Sequence, residues 1–262
     1  MIGPVPRPRI FVGTLACGEA ERAECLAAVT AQTGVSVTQT VIENLPELEA
    51  HNALWDAWEA VKADHDLFVK IDADTVLARP TALGEIAALF IDEAVTGAQI
   101  LLHDFFTDEL IAGLNAFSRA VTFLRATDRL WTDRVDGGHR VVLKGEPVRH
   151  LAPIGWHCRT PHPRQAFHFG LHRAIKKQEA VIARCAEVWL VERDEARGWA
   201  LAGAMSAGSL RHRVDYGDVR FEAAFRALAD AADRRDRVER FARRMAAGVT
   251  AGGRRGAAGQ RH

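Results

Sequence analysis

The residues of this chain whose types and spacing could do chemistry are Asp72 and Asp74, one residue apart at the end of Leu67-Phe68-Val69-Lys70-Ile71. The five preceding residues are mostly apolar and β-branched or aromatic, which predicts a short buried strand. In extended backbone, side chains at i and i+2 leave on one side, so both carboxylates can face one ligand. Two anions held so close repel unless a cation offsets them, and oxygen ligands suit Mg²⁺ or Mn²⁺. A divalent ion carrying a diphosphate is the simplest occupant. The other reading is a strand-to-loop turn that the two aspartates cap and solvate, as Asp often does. An isolated Asp-x-Asp does not choose between them.

The second chemical signal is histidine. His150, His157, His162, His168 and His172 fall in one stretch, interleaved with Pro153, Trp156, Cys158, Pro161 and Pro163. The prolines and Gly155-Trp156 predict a long structured loop that could fold over a pocket. His168 and His172 share a face if the basic, amphipathic stretch 164–186 is helical. A hydrogen-bonded packing role competes with ligation for each of them. His-Glu-x-x-His is absent, which argues against a zinc peptidase. Arg164, Arg173 and Lys176 fit either a phosphate site or a solvated face. Cys17, Cys25, Cys158 and Cys185 form no C-x-x-C pair, so they read as reduced, small buried hydrophobes of a cytoplasmic protein.

The elements that position these groups alternate. Residues 10–16 predict a strand, 19–32 a helix, 35–42 a strand, 47–63 a helix, 67–71 the strand before Asp72, 80–94 a helix and 99–104 a strand. This order belongs to an α/β layer fold with a largely parallel sheet. Ligands in such sheets bind beyond the carboxyl ends of the strands, where Thr14, Glu43, Asp72, Asp74 and His103 would lie. Beyond, 109–124 reads as helical, 140–144 as a strand, and 164–186, 192–207 and 218–245 as helices. The Gly/Ala/Arg-rich stretch 248–262 has no apolar periodicity and is expected to be disordered. The expected organisation is an α/β half over 1–145, a loop and C-terminal helices of the same domain over 146–247, and a tail over 248–262.

Composition sets the frame. The 262 residues carry 34 Lys and Arg against 34 Asp and Glu, so net charge is zero and nothing global points to nucleic acid. With 48% hydrophobic residues the chain can bury a large core. The N-terminal run has prolines where a signal peptide needs an apolar centre, and no apolar run reaches the length of a membrane span.

Residues 10–102, with Leu67-Phe68-Val69-Lys70-Ile71-Asp72-Ala73-Asp74 after two β-α units, resemble the nucleotide-sugar-binding half of a GT-A glycosyltransferase, most similar to the family 2-like group. The resemblance implies a Rossmann-type αβα sandwich with a mostly parallel central sheet and a helical C-terminal extension. It implies a metal-dependent, hexosyltransferase-like enzyme with a UDP- or GDP-sugar donor and a glycan or small-molecule acceptor. Mn²⁺ or Mg²⁺ would be held by Asp72, Asp74 and, through the resemblance of His168-Phe169-Gly170 to a late metal-site histidine, His168, with His172 and His162 as rivals. Thr14, Glu43, Asn52 and Asp72 would meet the donor. An inverting reaction would need a carboxylate base, for which Asp136, Asp104, Asp128 and Asp133 are candidates. Two alternatives stay open. One is a nucleotidyltransferase, which would show a basic Gly-rich loop after its first strand where this chain has Gly13-Thr14-Leu15-Ala16-Cys17-Gly18; the other is a non-catalytic binding module of the same fold.

Overall fold

In the computed structural model the described residues are 7–127, 138–208, 210 and 216–256, with side chains described as far as 248. The chain divides into two units, the first made of Met1–Phe105 and Glu109–Thr160, the second of Phe106–Asp108 and Pro161–His262.

The first unit is an α/β layer structure. Its elements are β1 (Arg9–Ala16), α1 (Arg22–Thr30), β2 (Ser36–Glu43), α2 (Glu47–Val61), β3 (Leu67–Asp72), β4 (Thr75–Leu77), α3 (Ala82–Ala88), β5 (Val95–Asp104), β6 (Glu109–Ser118), β7 (Val141–Leu143), a 3-10 turn (Glu146–Leu151) and β8 (Gly155–His157). All eight strands share one sheet in the order β2-β1-β3-β6-β5-β8-β4, with β7 beside β5. The β1–β2, β1–β3, β5–β7 and β5–β8 ladders are parallel. The β3–β6, β5–β6 and β4–β8 ladders are antiparallel.

Strand alternation divides the core between the two faces. From β1 and β3, Ile10, Val12, Leu67, Val69 and Ile71 pack with Cys25, Val29, Leu83 and Ile86 of α1 and α3. Phe11 and Phe68 point the other way, into Leu54, Trp55 and Trp58 of α2. A sheet buried on both faces needs apolar residues at successive positions, which is why β3 reads as a continuous apolar run. Three layers result, α on β on α.

The stretch 109–124, expected to be helical, holds β6 instead. Its apolar residues gain a partner that no local window reveals: β6 forms a hairpin with β5 and pairs β3 across its other edge. The turn of that hairpin uses Asp108 at φ +53, a conformation that Asp tolerates better than most residues. The helix expected over 80–94 is shorter, α3 ending at Ala88, and β5 already begins at Val95.

The second unit is helical: α4 (Pro163–Ile175), α5 (Glu179–Glu192), α6 (Glu195–Ser206), α7 (Val219–Ala229) and α8 (Arg234–Gly256). The single helix expected over 164–186 breaks between α4 and α5, where Lys177 adopts φ +55. The helix expected over 218–245 divides at 230–233 into α7 and α8. α8 runs to Gly256 through part of the expected disordered tail; 257–262 lie outside the described residues. Caps mark the helix starts. Asp194 accepts from Arg197 N at 2.8 Å and Asp218 from Arg220 N at 2.8 Å, each satisfying an otherwise orphaned amide. Among the described residues no helix is long and apolar enough to cross a membrane.

Candidate functional site

Parallel pairing brings the carboxyl ends of β2, β1 and β3 to one edge. Glu43 sits opposite Ala16, and Asp72 opposite Leu15. The chain then turns through Ala73, whose amide bonds Leu15 O at 3.0 Å, to Asp74 and β4. β4 pairs antiparallel with β8, Thr75 opposite His157, while β8 runs parallel to β5 with Asp104 opposite His157. Asp74, His157 and Asp104 therefore meet through three strands distant in sequence.

The two aspartates have different surroundings. Asp72 is 44% exposed, and both its oxygens accept from Lys70 Nζ, at 2.7 and 2.9 Å. Lys70 and Asp72 are at i and i+2 on β3, so they share a face. Loss of hydration among its neighbours pushes the part-exposed Asp72 carboxyl up, but the lysine beside it prevails and holds it below the usual range. Asp74 is pushed up, first by burial, which His157 opposes and to which Asp72 and Glu19 add repulsion. A carboxylate so placed gains from an added cation.

Around Asp74 Oδ2 lie Cys158 Sγ at 3.4 Å and His157 Nε2 at 3.6 Å. Those two atoms are themselves 3.6 Å apart. The other ring nitrogen, Nδ1, is 2.6 Å from Oδ1 of Asp104, which is fully buried. A carboxylate on one imidazole nitrogen fixes the ring and leaves the other nitrogen's lone pair for a ligand. Cys158 adopts φ +54, a left-handed conformation that costs a non-glycine residue about 1–2 kcal/mol. Its amide is anchored to Asp74 O at 2.8 Å. Asp74, His157 and Cys158 are the one group of three ligand-type side chains with mutually close donor atoms among the described residues.

Cysteines gather here as well. Cys25 Sγ donates to Asp72 O at 3.7 Å, and burial followed by Asp74 and Asp72 raises its thiol to about 12. In the loop after β1, Cys17 Sγ is 3.1 Å from Glu19 Oε1, and burial together with that carboxylate raises the Cys17 thiol. The Glu19 carboxylate also takes Cys17 N at 2.7 Å.

The other residues singled out by sequence stand as follows. Glu43 pairs with Arg22. Thr14 is fully buried, its Oγ1 accepting from Gln39 Nε2 at 3.4 Å. Asn52 clamps the backbone of Ala126, donating to its O at 3.1 Å and accepting from its N at 2.8 Å. His168, on α4, stacks on Tyr216 with ring centroids 4.1 Å apart, and His172 is its neighbour at 5.6 Å. His162 Nδ1 accepts from Gln165 N at 3.1 Å as the cap of α4. The group around Asp74 thus contains His157, and His168 is not in it. Asp128, Asp133 and Asp136 lie outside the described residues.

Sequence reasoning named His157 among the histidines of 150–172 without ranking it as a ligand, read Cys158 as a small buried hydrophobe, and did not single out Lys70. A signal was present: Ile154-Gly155-Trp156-His157-Cys158 is a short strand ending in two ligand-type residues, the same grammar as the run into Asp72 and Asp74.

No family model matches this chain, and no curated protein matches it. Among solved structures it is similar to a mannosyltransferase, PcManGT from Pyrobaculum calidifontis, in complex with GDP-Man and Mn²⁺, with 15% identity over 92% of this chain and 87% of that one and a TM-score of 0.40. It is also similar to a glycosyltransferase involved in glycosylation of the major capsid of PBCV-1, with 13% identity over 41% of this chain and 59% of that one and a TM-score of 0.28.

Proposed function

We propose that this chain is a metal-dependent glycosyltransferase that takes its sugar from a nucleoside-diphosphate donor. One observation carries the reading. Among the described residues neither carboxylate of the Asp-x-Asp pair caps a backbone amide, as a plain turn would have it: Asp72 is bonded to Lys70, while Asp74 faces Thr75 Oγ1, a thiol and an imidazole held by a buried carboxylate. This is a donor set with the charge and orientation to hold a divalent cation at the carboxyl edge of an α/β sheet, where ligands of such folds bind.

Asp74 and His157 are the proposed protein ligands, with Asp72 acting through water, and His157 taking the part that sequence reasoning gave to His168. The ion, Mn²⁺ or Mg²⁺ on the sequence reading, would supply positive charge against a departing nucleoside diphosphate. Asp104 fixes the ring of His157, and Lys70 keeps Asp72 ionised. Glu43, at the end of β2, is proposed to meet the nucleoside of a UDP- or GDP-sugar. Thr14 and Asn52, both buried and bonded within the unit, would shape that edge. Asp136 is the proposed base if transfer inverts configuration. The loop after β1 speaks against the nucleotidyltransferase alternative, since it presents Glu19 where a phosphate loop needs a cation.

The test is release of nucleoside diphosphate from a panel of UDP- and GDP-sugars, with divalent metal and with chelator. Release with one donor, dependent on metal and lost in Asp74→Asn, is the expected result. No release from any donor by the folded protein would overturn the reading.

A further inference from the structure

The donor set around Asp74 does not match the ion that Asp-x-Asp alone suggests. Mg²⁺ takes oxygen ligands in near-octahedral array, whereas imidazole and thiolate suit softer ions. Tetrahedral zinc, with bonds of about 2.3 Å to sulfur and about 2.0–2.1 Å to nitrogen and oxygen, sets its donors roughly 3.3–3.6 Å apart. The three separations here are 3.4 Å for Cys158 Sγ to Asp74 Oδ2, 3.6 Å for His157 Nε2 to Asp74 Oδ2 and 3.6 Å for Cys158 Sγ to His157 Nε2. The three separations match one face of a zinc tetrahedron.

We infer that Asp74, His157 and Cys158 form a three-donor site for a thiophilic divalent cation of the Zn²⁺ or Co²⁺ class, preferred over Mg²⁺, with the fourth position left for an exogenous oxygen. Three further features fit. The site's imidazole has its second nitrogen on a buried carboxylate, as metal-bound histidines commonly do. Cys158 is in no disulfide, and its thiol already contacts the other two donors. Its left-handed backbone is anchored by the amide bond to Asp74 O, and the thiol is directed at the Asp74 carboxylate. Binding is balanced simply: the Cys158 S–H bond breaks, a sulfur–metal bond forms, and one proton leaves to solvent with the water that the ion sheds. The occupant follows from the donors alone and does not depend on the glycosyltransferase reading; an ion with one open position would nonetheless suit a diphosphate oxygen there.

The test is titration of chelator-treated full-length protein with Co²⁺, followed by the sulfur-to-cobalt charge-transfer band in the near ultraviolet. One equivalent should bind with that band and should be displaced by Zn²⁺ but not by a large excess of Mg²⁺. Cys158→Ser should abolish the band, while Cys17→Ser and Cys185→Ser leave it. A measurement that needs no variant is X-ray absorption at the zinc edge of the Zn²⁺-loaded wild-type protein, which should show one sulfur ligand at about 2.3 Å. Binding without the band, a band that survives Cys158→Ser, equal competition by Mg²⁺, or no sulfur in the zinc shell would each overturn the inference. Nucleotide affinity, measured separately, would leave the donor reading standing or falling on its own.

Discussion

At the scale of single residues, the centre depends on a division of labour between two aspartates that look equivalent in sequence. Asp72 has its own cation in Lys70, whereas Asp74 is pushed up by burial and by its acidic neighbours. Asp74→Asn should therefore abolish metal-dependent nucleotide affinity and leave folding intact, because among the described residues the carboxylate anchors no backbone group; an unfolded or fully active variant would contradict this. Asp104→Asn should weaken metal binding by about 10–100-fold through loss of the group that orients His157, read by competition with a chromogenic chelator. Unchanged affinity would show that Asp104 serves packing alone. Asp72 and Asp74 were legible because their spacing is local and their strand announces itself. His157 was not, since what makes it a ligand is its register against Thr75 of β4 and Asp104 of β5, and registers between short strands are invisible in sequence. His168 looked better placed because helical spacing from His172 is easy to see, yet its ring stacks on Tyr216.

At the scale of elements, α4 and α6 cross with glycine on both sides. A Cβ on Gly170 would come 1.7 Å from Ala200 O, and one on Gly203 would come 1.9 Å from Phe167 O. Backbone meets backbone there, so neither neighbour can move aside as a side chain would. Gly170→Ala or Gly203→Ala should destabilise the helical unit by about 1–3 kcal/mol or more, measured as a fall in denaturation midpoint; an unchanged midpoint would refute the crossing. α4 also carries a pH dependence. Burial, and then Lys176, Arg164 and Arg173, lower His168 from its ordinary 6.5 to about 4. Between those values the unfolded chain binds the proton and the folded chain does not, so this contribution is complete above about pH 6.5 and is lost as pH falls towards 4. His168→Phe keeps a ring against Tyr216 and removes the proton, and should flatten the acid limb of stability; an identical limb would contradict it. The strands and helices up to β5 were legible because each is a local pattern between clear breakers. β6 was not, because its identity is conferred by β5 and β3.

At the scale of the whole molecule, the chain is formally neutral, yet Asp72, Asp74 and Glu19 concentrate negative charge at one sheet edge. Net charge therefore says nothing of the site, while the α/β order of the first unit, readable from alternating patterns, says where on the sheet to look. A cation held only by the folded protein should raise its stability, by about 2.7 kcal/mol at a free concentration of about 100 Kd, and Asp74→Asn should lose that gain in a thermal scan. An equal metal-induced shift in wild type and variant would place the ion elsewhere. The central claim is tested most directly by calorimetric titration of the purified protein with UDP and with GDP, each with divalent metal and with chelator, repeated on Asp74→Asn. Metal-dependent binding of one nucleotide, lost in the variant, is the result expected of a nucleotide-sugar donor site. A folded protein that binds neither nucleotide under any of these conditions would contradict the account and leave the chain a binding module of the same fold.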